Sequence, residues 1–206
     1  MPKQKPKIAI DIDDVIAESS EALRELVNQK TGRELTKEDY RVPGEYRGYY
    51  EVSWRQHDID IDFRGLEAIM ETDQSHVGLV AGAQYAVNEL LQEYDVVLIT
   101  SRSASMEHAT RDWIETHFSG KLPELHFATS RFDRSRKTKG QLCKELGASW
   151  LIDDNPEHCQ TALDEGVAAI LFGEYGWHHS HPEKVIKCTS WPAVLEYFSN
   201  KSERYE

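Results

Sequence analysis

Cysteine is scarce in this sequence, and so is any long apolar run. The three cysteines, Cys143, Cys159 and Cys188, are odd in number and widely spaced. They supply neither a disulfide framework nor the paired spacing of a zinc site, so reduced thiols and a cytoplasmic setting are expected. No apolar stretch approaches the roughly 20 residues that a membrane-spanning helix needs, and no membrane partner is expected. Met1 to Lys7 is basic but runs straight into a strand-like stretch, with neither the h-region nor the cleavage site of a secretory signal. Positive charge is also in deficit: 24 Lys and Arg stand against 36 Asp and Glu, a formal net charge of −12. That balance argues against a nucleic-acid polymer as the main partner. It leaves a small phosphate ester open, because a bound divalent cation reverses the local field.

What is present is ordinary for a globular protein, with 39% hydrophobic and 29% charged residues. A chain of 206 residues accommodates one α/β domain with a real core and one inserted subdomain. Four apolar runs read as strands: Lys7 to Ile12, Asp95 to Thr100, Ala148 to Asp153 and Val167 to Phe172. None alternates strictly, as suits strands covered on both faces of a parallel sheet. Between them lie helical patterns over Glu18 to Lys30, Gln84 to Tyr94, Met106 to Phe118, Lys139 to Leu146 and Pro156 to Glu165, and Pro192 to Phe198 closes the chain. Alternating strands and helices predict right-handed crossovers and a Rossmann-like, doubly wound α/β fold.

Residues 31–80 break that rhythm. They carry Tyr40, Tyr46, Tyr49, Tyr50, Trp54 and Phe63 among scattered glycines and mixed charge. So long a stretch without elements of its own is uncommon as a loop, and a small cap inserted into a core of residues 1–30 and 81–206 is expected. Its aromatics serve either as the core of the cap or as a stacking platform for a ligand.

Polar residues gather at three predicted strand ends: Asp11 and Asp13, then Thr100, then Asp153 and Asp154. In open α/β sheets ligands bind at the carboxyl ends of strands, near the point where strand order reverses. Carboxylates placed there are costly to desolvate unless a cation or hydrogen bonds compensate them. One such pair could simply cap the following helix. Two pairs and a strand-end Thr point to a site.

The ordered set resembles the four motifs of the haloacid dehalogenase superfamily of phosphatases. Asp11-Ile12-Asp13-Asp14-Val15 resembles the first, D-x-D-x-[TV], with Asp14 where Gly is commonest. Leu98-Ile99-Thr100 resembles the second, Lys139 at a helix start the third, and Leu151-Ile152-Asp153-Asp154 the fourth. The resemblance implies phosphate-ester hydrolysis with Mg²⁺ as cofactor. Asp11 would be the nucleophile, forming an aspartyl-phosphate. Asp13 would act as general acid and then base, with its pKa raised by neighbouring carboxylates. Asp11, the Asp13 backbone carbonyl and one of Asp153 and Asp154 would hold the metal. Thr100 and Lys139 would hold and neutralise the phosphoryl oxygens, although Lys137 lies close enough in sequence to compete for that role. Ser101 and Arg102 are candidates for contacting the substrate.

A finer resemblance is to the deoxyribonucleotidase-like branch, the cytosolic type C 5′-nucleotidases. It is carried by Ala81-Gly82-Ala83 before a helix, by the Ile99-Thr100-Ser101 strand end, and by the closing segments Leu171 to His178 and Ser190 to Leu195. It implies a nucleoside monophosphate as substrate. Other small phosphorylated metabolites such as sugar phosphates, or a binding protein that kept the fold without turnover, are the alternatives. The cluster His178-His179-Ser180-His181 lacks a carboxylate or Cys at ligand spacing and reads as a surface loop. Arg131 and the run from Arg134 to Lys137 read as a basic turn or a substrate-side loop.

Overall fold

The computed structural model describes residues 5–40, 58–118, 123–130, 133–178 and 180–202. Six parallel strands form one sheet: β1 (Lys7–Ile10), β2 (Asp95–Thr100), β3 (Glu124–Phe127), β4 (Ala148–Asp153), β5 (Ala168–Phe172) and β6 (Ile186–Cys188). Their spatial order is β3-β2-β1-β4-β5-β6. The chain runs outward from β1 through β2 to β3, then returns to the other side of β1 with β4. The order therefore reverses around β1, and the carboxyl ends of β1, β2 and β4 meet at the switch point.

Among the described residues there are seven α-helices: α1 (Ser19–Thr31), α2 (Phe63–Thr72), α3 (Ala83–Glu93), α4 (Glu107–His117), α5 (Lys139–Leu146), α6 (Pro156–Asp164) and α7 (Trp191–Ser202). Successive strand residues point to opposite faces. Ile8, Ile10, Leu98, Ile152, Ile170 and Phe172 accordingly join one core with α3, α4 and α7. Ala9, Val97, Ile99, Leu151, Ala169 and Leu171 join the other with α5 and α6. The second face is built from smaller residues, so its helices lie close. The backbone of Gly140 in α5 sits directly against the Thr161 carbonyl of α6, where a Cβ would come within 2.0 Å of the oxygen.

Two strands were not expected. In Glu124-Leu125-His126-Phe127, apolar residues alternate with polar ones over four positions, and Ile186-Lys187-Cys188 is three residues long. Neither makes the continuous apolar run that marked the other four, because each pairs with the sheet on one side only. The predicted strand over Lys7 to Ile12 ends at Ile10. Between α1 and α3 the described residues form a 3₁₀ turn (Lys37–Tyr40) and α2. Leu35 and Leu66 of this segment pack with Leu26 and Val27 of α1 and with Trp177. Tyr46, Tyr49, Tyr50 and Trp54 lie outside the described residues, as do the side chains of Tyr40 and Phe63.

Candidate active site

Strand register assembles the carboxylates. Ile10 pairs with Ile152, so the next residues, Asp11 and Asp153, emerge side by side. Asp11 N–H donates to the Ile152 carbonyl at 2.9 Å, which extends the ladder one step into the site. On the other side Ile10 pairs with Leu98, which brings the β2 end and Thr100 to the same edge.

Lys139 reaches this edge because of how α5 begins. Thr138 and Gln141 form a reciprocal capping box: the Thr138 hydroxyl accepts from Gln141 N–H at 3.2 Å, and the Gln141 side chain accepts from Thr138 N–H at 3.0 Å. The helix therefore starts at Lys139 and turns its side chain inward, where it is 1% exposed. Its Nζ lies 2.7 Å from Asp11 Oδ1 and 2.7 Å from Asp153 Oδ2. Lys137 instead extends outward to pair with Glu145. The structure thus separates the two lysines, and Lys139 is the one between the carboxylates.

Asp153 and Asp154 are equally buried but differently bonded. Asp153 Oδ2 is taken by Lys139, and its Oδ1 accepts from Asn155 N–H at 2.9 Å and faces His158 Nδ1 at 3.1 Å. Burial works against its charge, but Lys139 and His158 outweigh it and hold its pKa down at about 2. Burial, and then the charge of Lys139, lowers the pKa of His158, whose Nδ1 faces Asp153. Asp154 Oδ2 accepts from the Trp177 indole N–H at 3.1 Å, whereas Asp154 Oδ1 is buried with no hydrogen-bond partner. Burial, then the charges of Asp153, Asp11 and Asp14, raise the pKa of Asp154 well above the carboxylate range. Burial likewise raises Asp11, with Asp153 and Asp13 adding repulsion that Lys139 offsets only in part.

An orphaned carboxylate oxygen beside other acids is a cost that a cation removes. The donor set is all oxygen, as a hard divalent ion prefers. Asp11, Asp153 and His158 also bring one donor each within 4.8 Å of one another. In that group, however, the Lys139 ammonium already bridges Asp11 and Asp153. Asp153 therefore has both oxygens engaged, whereas Asp154 keeps Oδ1 unpartnered.

Asp13 and Arg102 form an ion pair with each other. Arg102 is 7% exposed, and its guanidinium donates to Asp13 Oδ1 at 2.7 Å, to Gln74 Oε1 at 2.7 Å and to Thr110 Oγ1 at 3.0 Å. These bonds occupy the guanidinium with protein partners, so Arg102 anchors Asp13 instead of reaching outward. Ser19 Oγ donates a further bond to Asp13 at 2.5 Å. Burial works to raise the pKa of Asp13, but Arg102 and Ser19 outweigh it and the net shift is downward, opposite to the rise expected from neighbouring carboxylates. Thr100, wholly buried, accepts from Arg102 N–H at 3.1 Å, and next to it Ser101 Oγ is buried without a hydrogen-bond partner. Asp14 takes φ +56°, so an aspartate performs the left-handed turn that glycine usually makes at this place. Ser20 N–H and Oγ cap its carboxylate, and burial pushes its pKa up to about 7.

No protein-family model matches the sequence, and no curated protein matches it. Solved structures do. One is the HAD-hydrolase YfnB of Bacillus subtilis bound to magnesium, with TM-score 0.60, 14% identity and 96% of this chain and 100% of that chain covered. A predicted phosphoglycolate phosphatase of Haemophilus somnus 129PT gives TM-score 0.61, 12% identity and coverage of 96% and 100%. The protein CbbY of Rhodobacter sphaeroides in complex with xylulose-1,5-bisphosphate gives TM-score 0.55, 14% identity and coverage of 91% and 95%. The chain has the haloacid dehalogenase fold. At these identities the likeness speaks for architecture alone.

Among the contributors that the sequence pattern missed are His158, Tyr175, Trp177 and His178. His158 stands five residues after Asp153 in the first turn of α6, a spacing that was legible. Tyr175, Trp177 and His178 come from the loop after β5 and reach Asp14 and Asp154 only through tertiary contact.

Proposed function

We propose that this chain is a Mg²⁺-dependent phosphomonoester hydrolase that works through an aspartyl-phosphate on Asp11. The observation that carries the reading is the ammonium of Lys139 held between Asp11 and Asp153, with Asp154 Oδ1 left unpartnered beside them. Mg²⁺ would be held by Asp11, Asp154 and the Asp13 carbonyl, and when bound it supplies positive charge that lets an anionic ester approach the carboxylates. Asp11 attacks phosphorus: an O–P bond forms, the ester P–O bond breaks, and the departing oxygen takes a proton from Asp13. Asp13 then accepts a proton from the water that attacks the phosphoenzyme, and free phosphate leaves with Asp11 regenerated. Asp13 must loosen from Arg102 and Ser19 to do so. Lys139 offsets charge on the phosphoryl group, and Thr100 and Ser101 supply hydroxyls at the β2 end.

The substrate in this reading is a small phosphorylated metabolite, with a nucleoside monophosphate favoured by the sequence resemblance at the Ile99-Thr100-Ser101 strand end and the closing segments. A sugar phosphate is the second reading, favoured by the structural likeness to a protein that holds xylulose-1,5-bisphosphate. Residues 31–80 act as an inserted cap in either case, supported by the way Leu35 and Leu66 pack onto α1. A cytoplasmic setting belongs to the same proposal, supported by three free, buried cysteines. Among the described residues no helix is long and apolar enough to cross a membrane.

The test is phosphate release from a panel of nucleoside monophosphates, sugar phosphates and an aryl phosphate, with Mg²⁺ and with EDTA. Turnover should require Mg²⁺ and vanish in Asp11→Asn. Activity surviving in that variant refutes the nucleophile. Absence of turnover on every ester would favour a binding protein.

A further inference from the structure

Trp177 is 3% exposed and lies in the loop after β5, away from all four motifs in sequence. Its indole N–H points at Asp154, 3.1 Å from Oδ2 and 3.1 Å from the backbone carbonyl. The ring is clamped on both sides. It stacks on Tyr175 with centroids 4.5 Å apart and planes 1° from parallel, and it meets His178 edge-on at 6.0 Å. Each neighbour is itself tied to the site: Tyr175 Oη donates to the Asp14 carbonyl at 2.5 Å, and His178 Nε2 bonds the Asp154 carbonyl at 2.5 Å. The apolar edge of the indole is buried with Leu26, Val27, Leu35 and Leu66.

This amounts to more than packing. A carboxylate can present either oxygen unless a hydrogen bond fixes one of them. The Trp177 N–H fixes Oδ2, and Oδ1 is the atom left buried and unpartnered. A donor only, indole cannot compete for a cation, so it orients the ligand without occupying the site. We propose that Trp177 is the positioning residue of the divalent-cation site, setting its affinity by holding Asp154 with Oδ1 toward the metal. The inference rests on the reading of Asp154 as a ligand.

The experiment is titration of the full-length, EDTA-stripped chain with MgCl₂ alone by calorimetry, with thermal unfolding in EDTA as the check on folding. Trp177→Phe keeps a ring in the cluster and removes the N–H, and the dissociation constant should rise about 10- to 100-fold. Benzothienylalanine at position 177 keeps the shape of the indole and replaces only N–H with sulfur, so it serves where the Phe variant folds poorly and should give the same loss. Wild-type affinity in either folded variant overturns the inference, since a structural role alone leaves binding unchanged. Asp154→Asn separates the two levels: it must itself lose Mg²⁺, and if it does not, the reading of the site fails whatever Trp177 does.

Discussion

Gly140 offers a test of the second-face packing, because substitution there has opposite signs in an isolated helix and in this one. In a free helix, Gly→Ala is stabilising by roughly 0.5–1 kcal/mol. Here the Ala Cβ would lie 2.0 Å from the Thr161 oxygen, 2.3 Å from its carbonyl carbon and 2.7 Å from Ala162 N. These are backbone atoms of α6, so no side-chain rotation relieves the clash, and α5 must move by on the order of 1 Å. Overpacking of this kind costs about 1–3 kcal/mol, and an unyielding obstacle belongs at the upper end. Subtracting the helix-propensity gain leaves about 2 kcal/mol of lost stability, or roughly 4–8 °C in Tm for a chain of this size. Lys139 is the adjacent residue, so the same shift pulls its ammonium from Asp11 and Asp153. Misplacement by about 1 Å lowers kcat/KM on the order of 10²-fold. Thermal unfolding in EDTA reads the first effect and phosphate release the second. Gly65, exposed in α2 with its nearest foreign atom at 3.6 Å, is the matched control, and Gly65→Ala should be neutral or stabilising. A Gly140→Ala variant as stable as wild type would show that α5 and α6 are not in the contact described.

Two further outcomes follow from the charges. Lys139→Met leaves Asp11 and Asp153 buried without their shared cation, and should lose about 3–5 kcal/mol in urea unfolding in EDTA; a loss too small to measure would mean the ammonium is not between them. Asp14, with a folded pKa of about 7 against an ordinary 3.8, is an acid whose charged form the fold disfavours. Its contribution to stability is full below about pH 4 and is lost as the pH rises to about 7. Asn at this place keeps an acceptor for Ser20 N–H and tolerates φ +56°, so Asp14→Asn in EDTA should remove that decline and exceed wild type by on the order of 2 kcal/mol at pH 8. Equal pH dependence in the two proteins would show that Asp14 is not the group responsible.

Much of this site was legible in the sequence because its chemistry is local. β1, β2, β4 and β5 are apolar runs buried on both faces, and each of β1, β2 and β4 carries its polar residues at or just past its carboxyl end, so Asp11, Thr100 and Asp153 could be placed from the chain alone. Even the start of α5 was written locally, in the Thr138 and Gln141 capping pair. The choices between neighbours were not. Lys137 and Lys139 differ by two residues, and only the docking of α5 against α6 buries the second while the first meets Glu145. Asp153 and Asp154 are adjacent and therefore point to different surroundings, one to Lys139 and His158, the other to Trp177. Asp13 is lowered, not raised, because Arg102 arrives from 89 positions away. Backbone pattern decides where a strand ends, since burial and periodicity act over a few residues. Which carboxylate is paired, which is orphaned and which is anchored depends on partners brought in by the folded chain, and electrostatics in a buried site is set by those distances.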